Sequence, residues 1–162
     1  MADILIGKDQ ARPDFSPNSP YGNSTVATLD MQTDASGILI GGNQATAVDV
    51  ADVIILGRLF KGTEIGTGFK MIVSDAFTAS TTIAIGFRYI DSVDSTAVPQ
   101  DADYFLTATS TASTGITEGD NPVAPVRLPK DVYVTGTIAG ATHAAAGRLD
   151  IVMNMELKGA AS

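Results

Sequence analysis

The chain contains no cysteine, no tryptophan and a single histidine. Without cysteine, a disulfide framework, a zinc knuckle and a thiol nucleophile are excluded. A zinc site takes three or four His, Cys or carboxylate ligands, so one histidine without cysteine argues strongly against such a site. These absences remove most residue types that metal and redox chemistry requires, and we expect neither a metal nor another cofactor.

Basic residues are also scarce. Ten Lys and Arg, scattered singly along the chain, stand against 18 Asp and Glu, which gives a net charge of −8. A nucleic-acid partner is not expected, because phosphate binding depends on cations that displace counterions. A membrane partner is not expected either, because the longest apolar run, residues 53–57, is far shorter than the ~20 residues of a membrane helix. Residues 1–4 lack the basic start of a signal peptide, so we expect assembly in a cytoplasm.

Composition indicates one folded domain that is rich in strands. The 162 residues are 44% hydrophobic and 17% charged, which is too apolar for a disordered chain. Asp predominates over Glu among the acidic residues, and Thr and Gly are abundant. Asp and Gly favour turns, Thr fits a pleated surface, and straight-chain helix formers are few.

Hydrophobic residues recur with a period of two over much of the chain, as in half-buried strands. Residues 148–157, 130–138, 82–89 and 69–73 show this pattern, while 53–61 is apolar on both faces and suits a strand covered on both sides. Weaker strand signals lie near 26–31, 38–40, 45–50, 116 and 122–128. Turns at roughly 8–12-residue spacing then predict an all-β antiparallel sandwich or barrel. The predicted core comprises Ile83, Ile85, Phe87, Val132, Val134, Leu149, Ile151 and Met153.

Two segments are predicted not to be strands. Residues 101–108 indicate one or two helical turns, with Asp101 as the N-terminal cap. The glycine-rich stretch 62–68 lacks the Gly-Lys-Ser/Thr of a phosphate-binding loop. We therefore predict a hairpin connection there, leading into a strand that begins at Phe69.

Residues 1–23 predict an extended N-terminal arm, which precedes a β-sandwich domain over 24–162. Prolines at 13, 17 and 20 fix their own φ and bias the preceding residues towards extended conformations. Phe15 and Tyr21 are the large side chains available as anchors, and Arg12 is the nearest charge able to pair with a carboxylate. We predict that the arm crosses onto an adjacent subunit through these three residues.

Candidate chemical groups are isolated in the sequence. His143 lies in a loop of small residues without a neighbouring nucleophile or acid, which predicts a solvated loop histidine. Ser74 lies within a predicted strand and lacks the G-x-S-x-G turn of a nucleophile elbow. Four carboxylates could offer oxygen ligands to calcium, but the EF-hand spacing is absent and an ordinary acidic loop is favoured. They are Asp91, Asp94, Asp101 and Asp103.

Five stretches resemble the small capsid decoration, or cement, proteins of tailed bacteriophages. They are 56–65, 72–75, 82–86, 129–135 and 147–152, a strand ending in Gly-Arg-Leu-Phe-Lys-Gly followed by hairpin-linked strands and a closing strand. The resemblance implies a jelly-roll sandwich without catalysis, bound to the outer surface of a phage shell. It also implies the major capsid protein as partner, a homo-oligomer (dimer or trimer), and a place on the virion exterior after assembly in the bacterial host cytoplasm.

Two other classes of function stay open from the residues alone. A ligand-binding β-sandwich for calcium or carbohydrate would show metal-dependent melting or glycan binding. A hydrolase on a β scaffold would need a polar cleft around Ser74 or His143.

Overall fold

The computed structural model describes residues 3–5, 24–120 and 124–158. All regular elements of these residues are β-strands: β1 (Asp3–Leu5), β2 (Ser24–Thr33), β3 (Val53–Leu59), β4 (Thr63–Asp75), β5 (Thr82–Tyr89), β6 (Asp101–Ser110), β7 (Gly115–Glu118), β8 (Val126–Arg127), β9 (Val132–Ala139) and β10 (Gly147–Leu157). Over the same residues, no helix has the length and hydropathy needed to span a bilayer.

The strands form two sheets whose order is that of a jelly roll. One sheet runs β1-β3-β9-β5-β6 and the other β2-β10-β4-β7, with β8 paired to β4. Without the short β1 and β8, the eight main strands lie in the orders second-seventh-fourth-fifth and first-eighth-third-sixth. All pairings among these eight are antiparallel. This is the double Greek key of a jelly roll, and it confirms the predicted fold class.

The core lies between the two sheets and follows from the alternation of side chains. Along β10, Leu149, Ile151, Met153 and Met155 are at most 2% exposed, because a strand directs every second side chain to the same face. All eight predicted core residues belong to one buried cluster. On β3, Ile54, Ile55 and Leu56 are buried in succession, as expected for a strand covered on both faces.

The helical turns predicted over 101–108 are wrong, because these residues form most of β6. Backbone pairing with β5 satisfies their hydrogen-bonding groups, whereas an isolated helix of one or two turns is marginal. The close approach of the two strands needs Gly86, where a Cβ atom would lie 2.1 Å from the Asp101 carbonyl oxygen. Tyr104 and Phe105 then pack edge to face at 5.0 Å within the sandwich.

The hairpin connection predicted over 62–68 is also wrong, because the turn is shorter than predicted and the next strand begins earlier. The turn closes where the Thr63 amide donates to the Phe60 carbonyl oxygen at 3.1 Å, and β4 begins at Thr63 rather than at Phe69. The glycines at 66 and 68 therefore lie inside a 13-residue strand, where the pairing between β4 and β10 shifts register. Their role is to shape the sheet, and they do not form a loop.

The predicted arm has one described piece. Residues Asp3–Leu5 pair in parallel with Val53–Ile55 of the same chain and extend the β3 edge of the sheet. Arg12, Phe15 and Tyr21 lie outside the described residues, so the arm as a separate segment and its anchors remain predictions.

We expect the substitution Ile151→Asp to prevent folding, because it places an unpaired carboxylate between the sheets. Burial of such a side chain contributes roughly 1.5–3 kcal/mol, and an unpaired buried charge costs several kcal/mol more. The sum is comparable with the whole stability of a typical domain, about 5–15 kcal/mol. Far-ultraviolet circular dichroism and solubility measure the outcome.

The matched control is Asn154→Asp, at an exposed position three residues along the same strand. This variant should keep the β-type spectrum and a cooperative melt. An Ile151→Asp protein that does the same would contradict the position of the core.

Candidate functional site

A cleft of about 260 Å³ opens where β6 of one sheet meets β4 and the end of β7 of the other. Its apolar wall includes Phe69, Tyr104 and Phe105, and Met153 of β10 also lines it. Its polar lining comes from three side chains, Lys70, Glu118 and Asn154. A concave apolar surface with a few polar groups at its edge is the usual form of a binding site.

The aromatic wall of the cleft is held in place from both sheets. The Phe69 and Phe105 rings stack with centroids 5.4 Å apart and planes inclined by 10°. Tyr104 packs edge to face against Phe87 at 5.1 Å, and its hydroxyl donates to the Ala124 carbonyl oxygen at 3.3 Å. Because the three wall rings are at most 9% exposed, the wall has little freedom to rearrange when something enters the cleft.

The floor of the cleft depends on glycine. Gly68 has a φ of 70°, and a Cβ atom there would lie 2.4 Å from the Asn154 amide nitrogen. Both the positive φ and the absence of a side chain let β4 pass close beneath Asn154. The sequence signalled glycine enrichment here, but not that the glycines open a cleft within the sheet.

Glu118 is the carboxylate that lines the cleft, and Asp103 and Asp120 are chain neighbours of the lining residues Tyr104 and Gly119. Glu118 pairs with Lys70 at 3.3 Å. The carboxylate of Asp120 accepts hydrogen bonds from the hydroxyl and amide of Thr107, and these lower its pKa. A hydrogen bond with Asp101, slight burial and the charges of Asp101 and Asp120 raise the pKa of Asp103. The raised pKa of Asp103 therefore reflects the acidic groups beside it.

The four carboxylates considered for calcium do not form one site. Asp91 pairs with the Lys130 ammonium at 2.8 Å, which lowers its pKa. Asp94 accepts from the backbone amides of Ser95 and Gln100, each at 2.7 Å, and so shapes its own loop. Across residues 3–5, 24–120 and 124–158, no three His, Cys, Asp or Glu side chains gather in a way that could hold a metal ion.

The candidate hydrolase residues are not brought together. Ser74 is exposed on β4, as expected for an ordinary strand residue. Both ring nitrogens of His143 are buried without a hydrogen-bond partner, so this histidine is bonded neither to a serine nor to a carboxylate. Among the described residues, neither side chain has the partners that nucleophilic catalysis requires.

His143 was expected to be solvated, and the structure corrects this. Its side chain is 2% exposed and packs on the Phe77 ring, with centroids 4.8 Å apart. The His143 amide donates to the Val48 carbonyl oxygen at 2.8 Å, which ties its loop to the segment before β3. Burial lowers the pKa of His143 to about 4, because the charged imidazolium would lose its hydration.

Comparison with known proteins establishes the fold. No protein-family model matches the chain, and no curated protein matches it. A chain from the capsid of Ralstonia phage GP4 has a TM-score of 0.66 and 14% identity, and the match covers 99% of this chain and 100% of that one. A chain from the acidic stable capsid structure of Helicobacter pylori bacteriophage KHP30 has a TM-score of 0.50 and 14% identity, with coverage of 84% and 93%.

The buried histidine predicts a pH dependence of stability. Its pKa is about 4 in the folded protein and near 6.5 when unfolded, so the unfolded state binds more protons between these values. Its contribution to the free energy of unfolding is therefore present above pH 6.5 and is lost as the pH falls towards 4. The loss amounts to about 3 kcal/mol at about 1.4 kcal/mol per pKa unit.

Replacement of His143 by Leu should remove this dependence, because Leu stays neutral and has no ring nitrogens to satisfy. Urea unfolding of both proteins at several pH values between 7 and 4 measures it. Carboxylates with lowered pKa values are common to both proteins and act mostly below this range. Parallel stability curves for the two proteins would contradict the burial of His143.

Proposed function

We propose that this chain is a non-enzymatic structural protein of a phage virion that binds the outer surface of the capsid shell and stabilises it. Such a protein is a decoration, or cement, protein. The observation that carries the proposal is the full-length similarity in fold to a chain of the Ralstonia phage GP4 capsid.

The extent of the match supports a role for the whole chain. The similarity covers 99% of this chain and 100% of the other, so the match is not confined to one part of either chain. Jelly rolls recur among viral capsid proteins because a closed sandwich offers a rigid body with loops at both ends.

The charge distribution supports the outer surface rather than the inner one. Residues 24–162 carry eight Lys and Arg against 15 Asp and Glu, a net charge of −7. Packaged DNA is a dense polyanion, so a body of this charge gains nothing from facing it. An exterior position removes this repulsion.

The chemistry of the described residues supports a structural role. Among residues 3–5, 24–120 and 124–158, neither Ser74 nor His143 has a catalytic partner, and Asp91 and Asp94 are used in local bonds. What the sandwich does provide is a rigid body with a cleft at one edge. These features suit protein–protein contact.

The partners follow from this position. The major capsid protein of the shell is the surface to which the sandwich attaches, and further copies of this chain complete a dimer or trimer. Arg12, Phe15 and Tyr21 of the arm are the proposed anchors, because aromatic side chains and arginine carry much of the binding energy at interfaces. Assembly takes place in the cytoplasm of the bacterial host.

We expect this chain to travel with intact virions and to be accessible on them. Virions purified from the source material by density gradient should contain the chain by mass spectrometry. An antibody raised against the full protein should label intact, nuclease-resistant particles in electron micrographs. Labelling that appears only after the particles are broken would contradict an exterior position, and absence of the chain from purified virions would contradict a virion role.

The arm should contribute to attachment. The triple variant Arg12→Ala, Phe15→Ala, Tyr21→Ala, made in the full chain, should bind stripped shells at least about tenfold more weakly, because one lost anchor is worth about 1.4 kcal/mol or more. Co-sedimentation with shells measures the affinity. The control is Thr28→Ala, at an exposed position on β2. Undiminished binding of the triple variant would show that attachment belongs to the sandwich alone.

A further inference from the structure

We propose that the open edge of β2 pairs with the same edge of a second copy of this chain. The two strands run antiparallel around a two-fold axis at Ala27, so that the two β2-β10-β4-β7 sheets continue into one. The inference rests on the homo-oligomer of the proposed function and names the surface that forms it. Its test uses purified protein without shells, so a failure here leaves shell attachment to be judged by its own measurement.

Among residues 3–5, 24–120 and 124–158, β2 is the long edge strand that lacks the usual protection of an edge. β1, β7 and β8 have two to four residues each, and β6 carries Asp101 and Asp103 and pairs with β5 through register shifts. Short strands, charges and bulges are the means by which proteins protect sheet edges from pairing. By contrast, β2 has ten residues, one charge at Asp30, no Lys, Pro or Gly, and a pairing with β10 that has no register shift.

The backbone groups that face this edge can be identified from one hydrogen bond. The Ile40 amide donates to the Gln32 carbonyl oxygen at 2.8 Å, on the side of β2 away from β10. This contact covers the last two residues of the edge, and no described strand lies beside 24–31 on that side. Because alternate residues of a strand direct their backbone groups to the same side, the N–H and C=O groups of the even-numbered residues point to the open edge.

An axis at Ala27 gives the register that suits the outward-facing residues. It sets Val26 opposite the second copy's Thr28, and Asp30 opposite the uncharged Ser24. The two Val26 side chains, each 57% exposed in the single chain, become diagonal neighbours and cover one another. The facing pairs supply about eight backbone hydrogen bonds, two for each pair whose backbone groups point across the edge.

Other axes are less favourable. An axis at Thr28 would set the exposed Val26 side chain against an Asp30 carboxylate. An axis at Asp30 would set two carboxylates directly opposite one another, which destabilises a strand pair. An axis at Val26 keeps the valines together but shortens the paired region to 24–28.

A second copy suits the edge better than the chain's own residues 6–23 do. The second copy offers an identical strand in which every residue has an N–H group, whereas prolines at 13, 17 and 20 lack the donor that a ladder needs. Charge also favours this edge as the meeting surface. Residues 24–162 have a net charge of −7, so two copies repel over most of their surfaces, but β2 contributes only Asp30.

A proline on the edge tests the pairing. Thr28→Pro removes an N–H that points to the open edge, so the β2-β10 ladder keeps its bonds while pairing with a second copy is blocked. In sedimentation velocity at micromolar concentration, the wild-type protein should be a dimer of twice 16.7 kDa and Thr28→Pro a monomer. The matched control Thr28→Ala keeps the N–H and should stay a dimer. All three proteins should keep a β-type circular dichroism spectrum and a cooperative melt.

A cysteine crosslink tests the register, because the chain has no cysteine of its own. Val26→Cys and Thr28→Cys proteins are mixed at low concentration so that subunits exchange, then concentrated and mildly oxidised. The mixture should give several-fold more disulfide-linked dimer than either protein alone, because directly opposed residues are close enough for a disulfide and diagonal ones are not. The control replaces Thr28→Cys by Ile116→Cys, which is exposed on β7 at the far side of the same sheet.

Four results would overturn the proposal. A folded Thr28→Pro protein that stays a dimer would place the interface elsewhere, and so would an equal crosslinking yield with Ile116→Cys. A stronger crosslink of Thr28→Cys with itself than with Val26→Cys would move the axis away from Ala27. A monomeric wild-type protein would exclude the dimer, and protection of the Val26 and Thr28 amides from hydrogen exchange in that monomer would show that residues 6–23 cover the edge.

Discussion

The insertion of the last strand between the first and third main strands is the constraint on which the rest of the structure depends. β10 pairs with β2 on one side and β4 on the other, so Ser24 lies opposite Glu156 although 132 residues separate them. Until β10 is in place, β2 has no neighbour within its sheet among the described strands, and the apolar faces of both sheets lack their cover. Closing so long a loop lowers the entropy of the chain before any of these contacts form.

Once the core is closed, polar groups at the ends of the sandwich are satisfied locally. The buried hydroxyls of Thr81 and Thr111 bond to each other at 2.8 Å, and Asp131 pairs with Arg58 while accepting from the Lys61 amide at 2.8 Å. The bond between the two threonines satisfies groups whose burial without a partner would be costly. The ring nitrogens of His143 depart from this rule, and the burial of this ring makes stability depend on pH.

A body of this kind offers its edges and ends for contact with other proteins. Its interior is apolar and carries no catalytic constellation within the described residues, and its surface is strongly acidic. Like-charged bodies associate only where a neutral or basic segment lies between them, or where an apolar contact outweighs the repulsion. The proposed role of the arm satisfies the first condition, because residues 6–23 carry two basic and two acidic side chains.

The amino-acid pattern alone predicted the strands that have one buried, apolar face and one polar face. Alternation along 148–157 and 82–89 predicted β10, β5 and the core residues, because a half-buried strand must place apolar side chains at every second position. The same pattern says nothing about which strand lies beside which. The jelly-roll order came from the family resemblance and from the structure.

Tertiary contacts determined the structure of the segments for which the local sequence pattern gave a wrong prediction. Residues 101–108 form a strand because β5 offers a complete ladder and Gly86 lets it approach. His143 is buried because segments distant in sequence, at Val48 and Phe77, enclose its loop. The cleft likewise combines residues from β4, β6, β7 and β10. Sequence therefore determined which residues are apolar and extended, and tertiary structure decided their neighbours, since pairing energy depends on residues that no local window contains.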